Sequence, residues 1–218
     1  KIEGGNIVNT SIGYPEKQGL YDPACEKDNC GVGFVVNVRG EKTNGIIKKG
    51  LKVLLNLTHR GAVGADPKTG DGAGLLVQIP DEFFRISCDN LGMELPRVGK
   101  YAVGMIFLPK EPALRFQCEG IFERIAEEEG QKIIGWRSVP IDSRNIGDTA
   151  KGTEPIIRQI FIASTFKDAS LSEDELQEEF ERRLYIIRKR TESEVIKLVN
   201  RNTEYFYICS LSSRTIVY

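Results

Sequence analysis

The sequence predicts an α+β protein in which groups of strands alternate with helices. Short apolar runs such as YAVGMIFL at 101–108 and IIRQIFIAS at 156–164 are typical of buried strands. Between such runs, apolar residues recur every three to four positions, as they do over residues 112–129, which is the period of an amphipathic helix. The two periods together predict a mixed, antiparallel-looking sheet that is covered by helical layers.

The first predicted elements follow residues 1–29, which are rich in Gly, Asn, Pro and charge and show no sustained period. Residues 31–40, GVGFVVNVRG, predict a mostly buried strand that ends at a turn around Arg39 and Gly40. Residues 46–57 have apolar side chains at helical spacing and predict a helix. The 17 residues after it, THRGAVGADPKTGDGAG, are dense in glycine and predict a long loop, and loops of that length are usually functional or disordered.

Capping signals place the later helices. A proline followed by two acidic residues at 80–82 suits the first turn of a helix. Ser172 and Glu175 form a capping-box pattern that predicts the start of a long helix, and Thr191 with Glu194 predicts a second, short one. Further strands are predicted at residues 75–80 and 132–141, and residues 205–218 predict a terminal hairpin that turns at Ser212 and Ser213.

The charge balance and hydropathy exclude several kinds of partner. The 30 Lys and Arg residues nearly cancel the 31 Asp and Glu residues, so no net field draws the chain to nucleic acid or to an anionic membrane. No stretch of 18 apolar residues is present, and the N-terminus lacks the apolar centre of a secretory signal. We therefore expect neither nucleic acid nor a membrane as a partner.

The five cysteines predict a reducing compartment and no metal site. They lie at positions 25, 30, 88, 118 and 209 without the compact spacing of a disulfide framework, which fits the cytoplasm. Zinc is not expected, because no second cysteine pair matches Cys25 and Cys30 and the chain has a single histidine.

Cys30 is the candidate for chemistry. It lies in EKDNCGVGFVV, where it follows Asn29 and precedes an apolar run. It is either a small structural residue at a strand start, with Gly31 and Gly33 marking a bulge, or a nucleophile. A nucleophilic thiol needs a base, which is either His59 or the α-amine of Cys30 itself once the bond to Asn29 is cut.

The α-amine suits the role of base. It titrates near pH 8 and a cysteine thiol near about 8.5, so a free amine can accept the thiol proton around neutral pH. The amide nitrogen of an uncut chain cannot do this, because its lone pair is delocalised into the carbonyl. In this interpretation Gly31 and Gly33 leave room for a substrate to approach the backbone.

Three motifs in this order resemble the amidotransferase domain of the glutamate synthase family, which belongs to the class II glutamine amidotransferases. The motifs are CGVGF at 30–34, LTHRGAVGAD and TGDGAG within 57–74, and the terminal YFYICSLSSRTIVY. The resemblance implies the N-terminal-nucleophile fold, an αββα sandwich of two antiparallel sheets between helical layers. It also implies that residues 1–29 are a leader, removed by cleavage between Asn29 and Cys30, and that residues 30–218 are the N-terminal portion of the domain.

The reaction implied by the resemblance is hydrolysis of L-glutamine. The Cys30 thiolate attacks the side-chain carboxamide, and in the parent enzyme the released ammonia reaches 2-oxoglutarate to give glutamate. Arg60 matches a family arginine whose implied role is to hold the N-terminal residue or its strand through backbone carbonyls. Gly31 and Gly61 are implied to support the new N-terminus, and Asp71 to cap backbone amides in a tight turn that lines the cysteine pocket.

The same resemblance implies a larger assembly. This segment is expected to bind no cofactor, whereas the parent enzyme is an FMN and iron–sulfur oxidoreductase of glutamate biosynthesis and nitrogen assimilation. The implied partners are L-glutamine, the 2-oxoglutarate/FMN domain of the same large subunit and a small reductase subunit. His59 is then a hydrogen-bonded structural residue, since the α-amine already supplies the base.

The chain departs from the family pattern at the oxyanion hole. In the family an Asn-Gly pair in an HNGE-like motif supplies it, and a later arginine binds the α-carboxylate of glutamine, but the single histidine here is followed by Arg60. Asn44 and Gly45 lie before a predicted helix and are most simply a turn. The chain also stops inside a strand-like run, so we expect a domain truncated at its C-terminus. Each lost oxyanion donor costs about 100- to 1,000-fold in turnover, so the fragment alone is expected to be weakly active or inactive.

Two alternative functions stay open at this point. The first is another class II amidotransferase, one that makes amino sugars or purine precursors, against which TGDGAG and SLSSRTIVY argue. The second is a non-catalytic interaction or scaffold module of the same fold. An N-terminus at Cys30 favours catalysis, and an intact leader favours the inert module.

Overall fold

The computed structural model describes residues 17–19, 22, 30–62, 66–198 and 206–218. It divides the chain into two compact units, Lys1–Ala62 and Val63–Tyr218. Apart from residues 17–19 and 22, the predicted leader lies outside the described residues, and so does Asn29.

The first unit contains one regular helix. Helix α1 spans Asn44–Asn56 and is followed by a 3-10 turn, Thr58–Arg60. The helix predicted over residues 46–57 is therefore confirmed. The turn expected at Asn44 and Gly45 is wrong, because both residues lie in the first turn of α1, after Thr43 in an extended conformation.

The strand predicted at residues 31–40 is wrong. The backbone over 31–37 belongs to no sheet among the described residues, and Val32 and Phe34 are 87% and 88% exposed. The apolar alternation makes the segment extended, but a strand also needs a neighbour that pairs with its N–H and C=O groups. The predicted turn is confirmed: the Gly40 N–H donates to the Asn37 carbonyl at 2.9 Å, and Gly40 has a φ of +70°.

The second unit is built on two antiparallel sheets. The larger has four strands in the order β3-β4-β2-β5, and the smaller pairs β1 with β6. Strands β2 and β4 pair along their full length. The strands are β1 Leu76–Gln78, β2 Tyr101–Leu108, β3 Lys132–Ser138, β4 Ile156–Ala163, β5 Tyr207–Ser212 and β6 Thr215–Val217.

Four helices accompany these strands. They are α2 Asp81–Asp89, α3 Pro112–Glu128, α4 Asp148–Thr153 and α5 Glu173–Val195. Helix α5 begins at the predicted capping box, in which Ser172 and Glu175 exchange side-chain and backbone hydrogen bonds. The short helix predicted at Thr191 is wrong, since α5 runs through this position and buries it. Helix α4 was not predicted, because its six residues are too few for a helical period.

The two central strands of the large sheet, β2 and β4, are largely buried on both faces, which explains why they read as nearly continuous apolar runs. Residues with even numbers in β2, such as Ala102 and Ile106, pack against Phe122 of α3 and Phe180 of α5. Residues with odd numbers pack on the opposite face with α2 and the small sheet: Tyr101, Val103 and Met105 of β2, Phe84 of α2 and Ile216 of β6. The described chain is thus an α+β protein with two antiparallel sheets and helices, which confirms the predicted class.

The predicted terminal hairpin is only half correct. Both of its strands form, but β5 joins the four-stranded sheet and β6 joins the small one. The Glu181 carboxylate of α5 accepts hydrogen bonds from the Ser213 N–H and Oγ, both at 2.6 Å, and from Ser212 Oγ at 3.1 Å. This carboxylate holds the turn at the point where the chain passes from one sheet to the other.

An ion-pair network joins α3 to α5 and predicts a loss of stability in acid. Arg124 and Arg190 hold the pKa of Glu128 below its ordinary value of 4.5, and Arg190 and Arg183 do the same for Glu129 against opposing desolvation. A lowered folded-state pKa gives stability that is present above pH 4.5 and is lost as the pH falls through the folded value. We expect the free energy of unfolding in urea to fall between pH 5 and pH 3.

The matched control removes the two carboxylates. The variant with Glu128→Gln and Glu129→Gln is expected to have a smaller change in free energy of unfolding over that pH range than the unaltered chain. An identical pH dependence in the two proteins would contradict a stabilising role for these ion pairs.

Candidate active site

Cys30 starts the extended segment of the first unit. Its side chain is exposed and its thiol is free. Burial raises the pKa of the Cys88 thiol to about 11 and also raises the pKa of Cys209. Because the thiolate is the reacting form, these two thiols are less reactive than an ordinary cysteine. An exposed thiol with free access to solvent is the better nucleophile.

Arg60, in the 3-10 turn that follows α1, contacts Cys30. Its Nε–H donates to the Cys30 carbonyl at 3.3 Å. The turn after α1 makes this possible, because the Arg60 N–H donates to the Leu57 carbonyl at 2.8 Å and the Gly61 N–H donates to Thr58 at 3.2 Å. A guanidinium on the Cys30 carbonyl fixes the backbone of the candidate nucleophile without occupying its sulfur.

Two glycines allow the extended segment to approach α1 closely. A Cβ on Gly33 would lie 2.5 Å from Cγ1 of Val53, and a Cβ on Gly31 would lie 3.1 Å from a methyl of Leu57 and 3.2 Å from the Arg60 stem. Side chains of this unit therefore fill the space beside both glycines. The role predicted for them, clearance for a substrate, stays a prediction.

His59 bonds locally. Its Nδ1 lies 3.0 Å from the Asn56 carbonyl, so the tautomer that donates from Nδ1 satisfies both groups. Within residues 30–62, no hydrogen bond joins His59 to Cys30. This geometry gives no support to the alternative in which His59 is the base.

The remaining predicted residue, Asp71, belongs to the second unit. It is exposed and lies in the glycine loop that leads to β1. The capping of backbone amides that the sequence predicts for Asp71 stays a prediction. Asp66, in the same loop, also caps an amide: its Oδ1 accepts from the Lys68 N–H at 3.0 Å. The signal that was overlooked is Asp66-Pro67, since an Asx-Pro pair often starts a turn. A place for Asp71 beside the cysteine stays a prediction.

Neither a metal-binding cluster nor a membrane-spanning helix is found in the part of the chain that the structure describes. This part contains no cluster of three or more His, Cys, Asp or Glu side chains placed to bind a metal ion, so these residues do not fit an iron–sulfur cluster. None of its helices combines the length and apolarity needed to cross a bilayer.

Comparison with known proteins defines the class. The family model described as "Glutamine amidotransferases class-II" matches residues 30–218, so the match begins at Cys30. The chain belongs to this family.

Three relatives of the chain within this class are glutamate synthases. The chain is 46% identical to "Glutamate synthase [NADPH] large chain" of Bacillus subtilis (strain 168) over 94% of its own length and 13% of that protein. It is 41% identical to "Glutamate synthase [NADH]" of Saccharomyces cerevisiae over 99% of its length and 10% of that protein. It is 36% identical to "Ferredoxin-dependent glutamate synthase 1, chloroplastic/mitochondrial" of Arabidopsis thaliana over 94% of its own length and 12% of that protein. The chain therefore spans only about an eighth or less of these relatives.

Proposed function

We propose that this chain is the glutamine-hydrolysing part of a glutamate synthase and that Cys30, freed by cleavage after Asn29, is its nucleophile. The observation that carries the proposal is the position of Cys30: an exposed thiol at the first residue of the family match, with the Arg60 guanidinium on its carbonyl. The three glutamate synthase relatives support the choice within the family.

The proposed chemistry uses two atoms of one residue. The α-amine of the cleaved Cys30 takes the thiol proton, and the sulfur attacks the side-chain carbonyl carbon of glutamine. The C–N bond breaks, the amine returns the proton to the leaving nitrogen, and ammonia departs. Water then hydrolyses the γ-glutamyl thioester and releases glutamate. Gly31, Gly61, Arg60 and Asp71 belong to the proposal as support for the N-terminus and its pocket.

The proposal includes a leader and a finer fold. Residues 1–29 are the leader, which is supported by the start of the family match at Cys30. The Bacillus subtilis relative aligns with 94% of the chain, more than residues 30–218 can supply, so it has residues that correspond to part of this segment. The finer fold is the αββα sandwich, supported by the family match and by the two antiparallel sheets with helices.

The rest of the reaction is proposed to take place outside this segment. Ammonia passes to 2-oxoglutarate on an FMN and iron–sulfur part of the large subunit, with a small reductase subunit as a further partner. The names of the relatives support this wider role but cite different electron donors: NADPH, NADH and ferredoxin. A cytoplasmic location is supported by the four free cysteines of the described residues. Without further oxyanion donors, the segment alone is expected to turn over glutamine slowly.

The proposal is tested by mapping the N-terminus and the reactive thiol together. The full-length protein is purified, treated with a diazoketone analogue of glutamine and examined by mass spectrometry. We expect the mature polypeptide to begin at Cys30 and the label to be on Cys30, because the analogue alkylates the thiol that attacks glutamine. An active protein that keeps its leader, or a label on a different cysteine, would contradict the proposal.

A further inference from the structure

The loop between the first unit and β1 folds around one carboxylate. Oδ1 of Asp66 accepts from the Lys68 N–H at 3.0 Å, and Oδ2 accepts from the Thr69 hydroxyl at 2.9 Å. The Lys68 N–H is the main reason that the pKa of Asp66 is lowered, followed by the Thr69 hydroxyl. The carboxylate is therefore charged throughout the neutral range.

Residues of the same loop also form hydrogen bonds to the start of helix α4, which is distant in the sequence. The Gly147 N–H donates to the Lys68 carbonyl at 2.9 Å, and the Ala150 N–H donates to the Thr69 hydroxyl oxygen at 3.4 Å. The backbone amides of Asp148 and Thr149 further lower the pKa of Asp66. Gly147 is the N-cap residue of α4 and has no side chain with which to cap the helix. Asp66 and Thr69 supply that cap from another part of the chain.

With Asp66 and Thr69 in their observed positions, only glycine fits at position 147. A Cβ there would lie 1.9 Å from Oδ2 of Asp66 and 2.3 Å from Oγ1 of Thr69. The two oxygens thus occupy the volume that a side chain would take. Gly152, in the same helix, has no atom within 4 Å of its own Cβ position. We call the contact of Asp66 and Thr69 with Gly147 and the first turn of α4 the α4 latch.

The other end of the loop is fixed as well. The Leu75 N–H donates to the Tyr218 carbonyl at 2.7 Å, and the Tyr218 N–H donates back to Leu75 at 2.8 Å. A Cβ on Gly74 would lie 2.8 Å from the same Tyr218 carbonyl, so the two backbones are in close contact. Residues 70–74, GDGAG, lie between the α4 latch and this strand pair.

We propose that Asp66 is a positioning residue for glutamine hydrolysis, because the α4 latch holds residues 70–74 in the conformation that the reaction requires. The inference rests on the proposed function, in which this glycine loop lines the cysteine pocket. Five residues with three glycines have many accessible conformations when only one end is held. Misplacing a positioning group by about 1 Å costs on the order of 100-fold in rate.

The test uses the full-length protein with glutamine and, separately, with ammonia as the nitrogen donor. We expect Gly147→Ala and Asp66→Ala to lower kcat/KM for glutamine about 10- to 100-fold and to leave the ammonia-dependent rate unchanged. Asp66→Asn keeps one acceptor and is expected to lose less than Asp66→Ala. The double variant Asp66→Ala with Gly147→Ala is expected to lose little more kcat/KM for glutamine than either single variant, because each single change already breaks the same contact.

Two matched controls separate the α4 latch from general effects. Gly152→Ala makes the same change in the same helix without a clash. Asp168→Asn removes a carboxylate with the same local turn, in which Oδ1 accepts from the Ser170 N–H and Oγ, but without contacts to another element among the described hydrogen bonds. Both are expected to keep wild-type kcat/KM for glutamine.

The outcomes distinguish the two proposals. If Gly147→Ala and Asp66→Ala behave like the control variants while Cys30→Ser abolishes glutamine use, the inference about Asp66 is wrong and the proposed function stands. An equal loss of the glutamine and ammonia rates in the latch variants would show a general folding role and would also overturn the inference. If Cys30→Ser retains glutamine use, the proposed function fails first, and the inference fails with it.

Discussion

Replacing Cys30 with serine is expected to abolish the use of glutamine by the full-length protein while its use of free ammonia continues. Loss of the nucleophile of a hydrolase lowers turnover by on the order of 10⁴- to 10⁶-fold. Serine keeps the shape of the side chain and the freed α-amine, but its hydroxyl is far less acidic than a thiol, so an amine that titrates near 8 gives it little nucleophilic character. Ammonia does not need this step.

The measurement is the rate of glutamate formation with each nitrogen donor, compared between the unaltered protein and the variant. The control is Cys209→Ser, which changes a second thiol that is half-buried in β5 and has a raised pKa. We expect it to leave glutamine use intact, because a thiol held in its protonated form is a poor nucleophile. Glutamine-dependent activity that survives Cys30→Ser would refute the assignment of the nucleophile.

The elements that could be predicted from the sequence are those that depend on spacing alone. Strands β2, β3 and β4 and helix α3 were predicted because burial on one or both faces leaves a repeating pattern of apolar residues. The start of α5 was predicted because Ser172 and Glu175 bond to each other's backbone, which is a local interaction. No distant residue is needed to decide any of these elements.

The incorrect predictions concern which strands pair with each other, and the spacing of apolar residues does not encode strand pairing. Residues 31–37 alternate as a strand does, yet among the described residues no strand pairs with them. The terminal segment contains two strands and a turn, as predicted. Residues distant in the sequence determine which sheet each of the two strands joins. Glu181 of α5 holds the turn, and β1 rather than β5 pairs with β6. Tertiary contacts of this kind override local patterns.

The candidate site, like the fold, could be predicted from the sequence only where short local motifs mark its residues. Cys30 and Arg60 were singled out from short motifs, and the structure brings the guanidinium of one to the carbonyl of the other. Asp66 was missed, because its importance depends on Gly147, which lies 81 residues away and shows its role only through the absence of a side chain. A glycine that fits the volume left by another residue gives no periodic signal.

Replacing Phe161 with alanine is expected to lower the free energy of unfolding of the 218-residue chain by about 3–5 kcal/mol. Phe161 is fully buried in the middle of β4, opposite Val103 of β2, and packs edge-on against Phe84 of α2 with ring centroids 5.3 Å apart. The loss combines the lost burial, the cavity and an aromatic pair worth about 0.5–1.5 kcal/mol. Domains are stable by about 5–15 kcal/mol, so much of the stability depends on this side chain.

Urea unfolding followed by the fluorescence of Trp136, the single tryptophan, measures this loss, because the indole packs against Phe122 in the core. Phe116→Ala on α3 makes the same change at a side chain that is 77% exposed and is expected to cost less than about 0.5 kcal/mol. Equal losses in the two variants would contradict the packing described here. Phe161 belongs to the same buried cluster as Ile216 of β6, and Tyr218, two residues after Ile216, pairs with Leu75 at the end of the glycine loop. The same cavity is therefore expected to loosen the segment that the α4 latch holds at its other end.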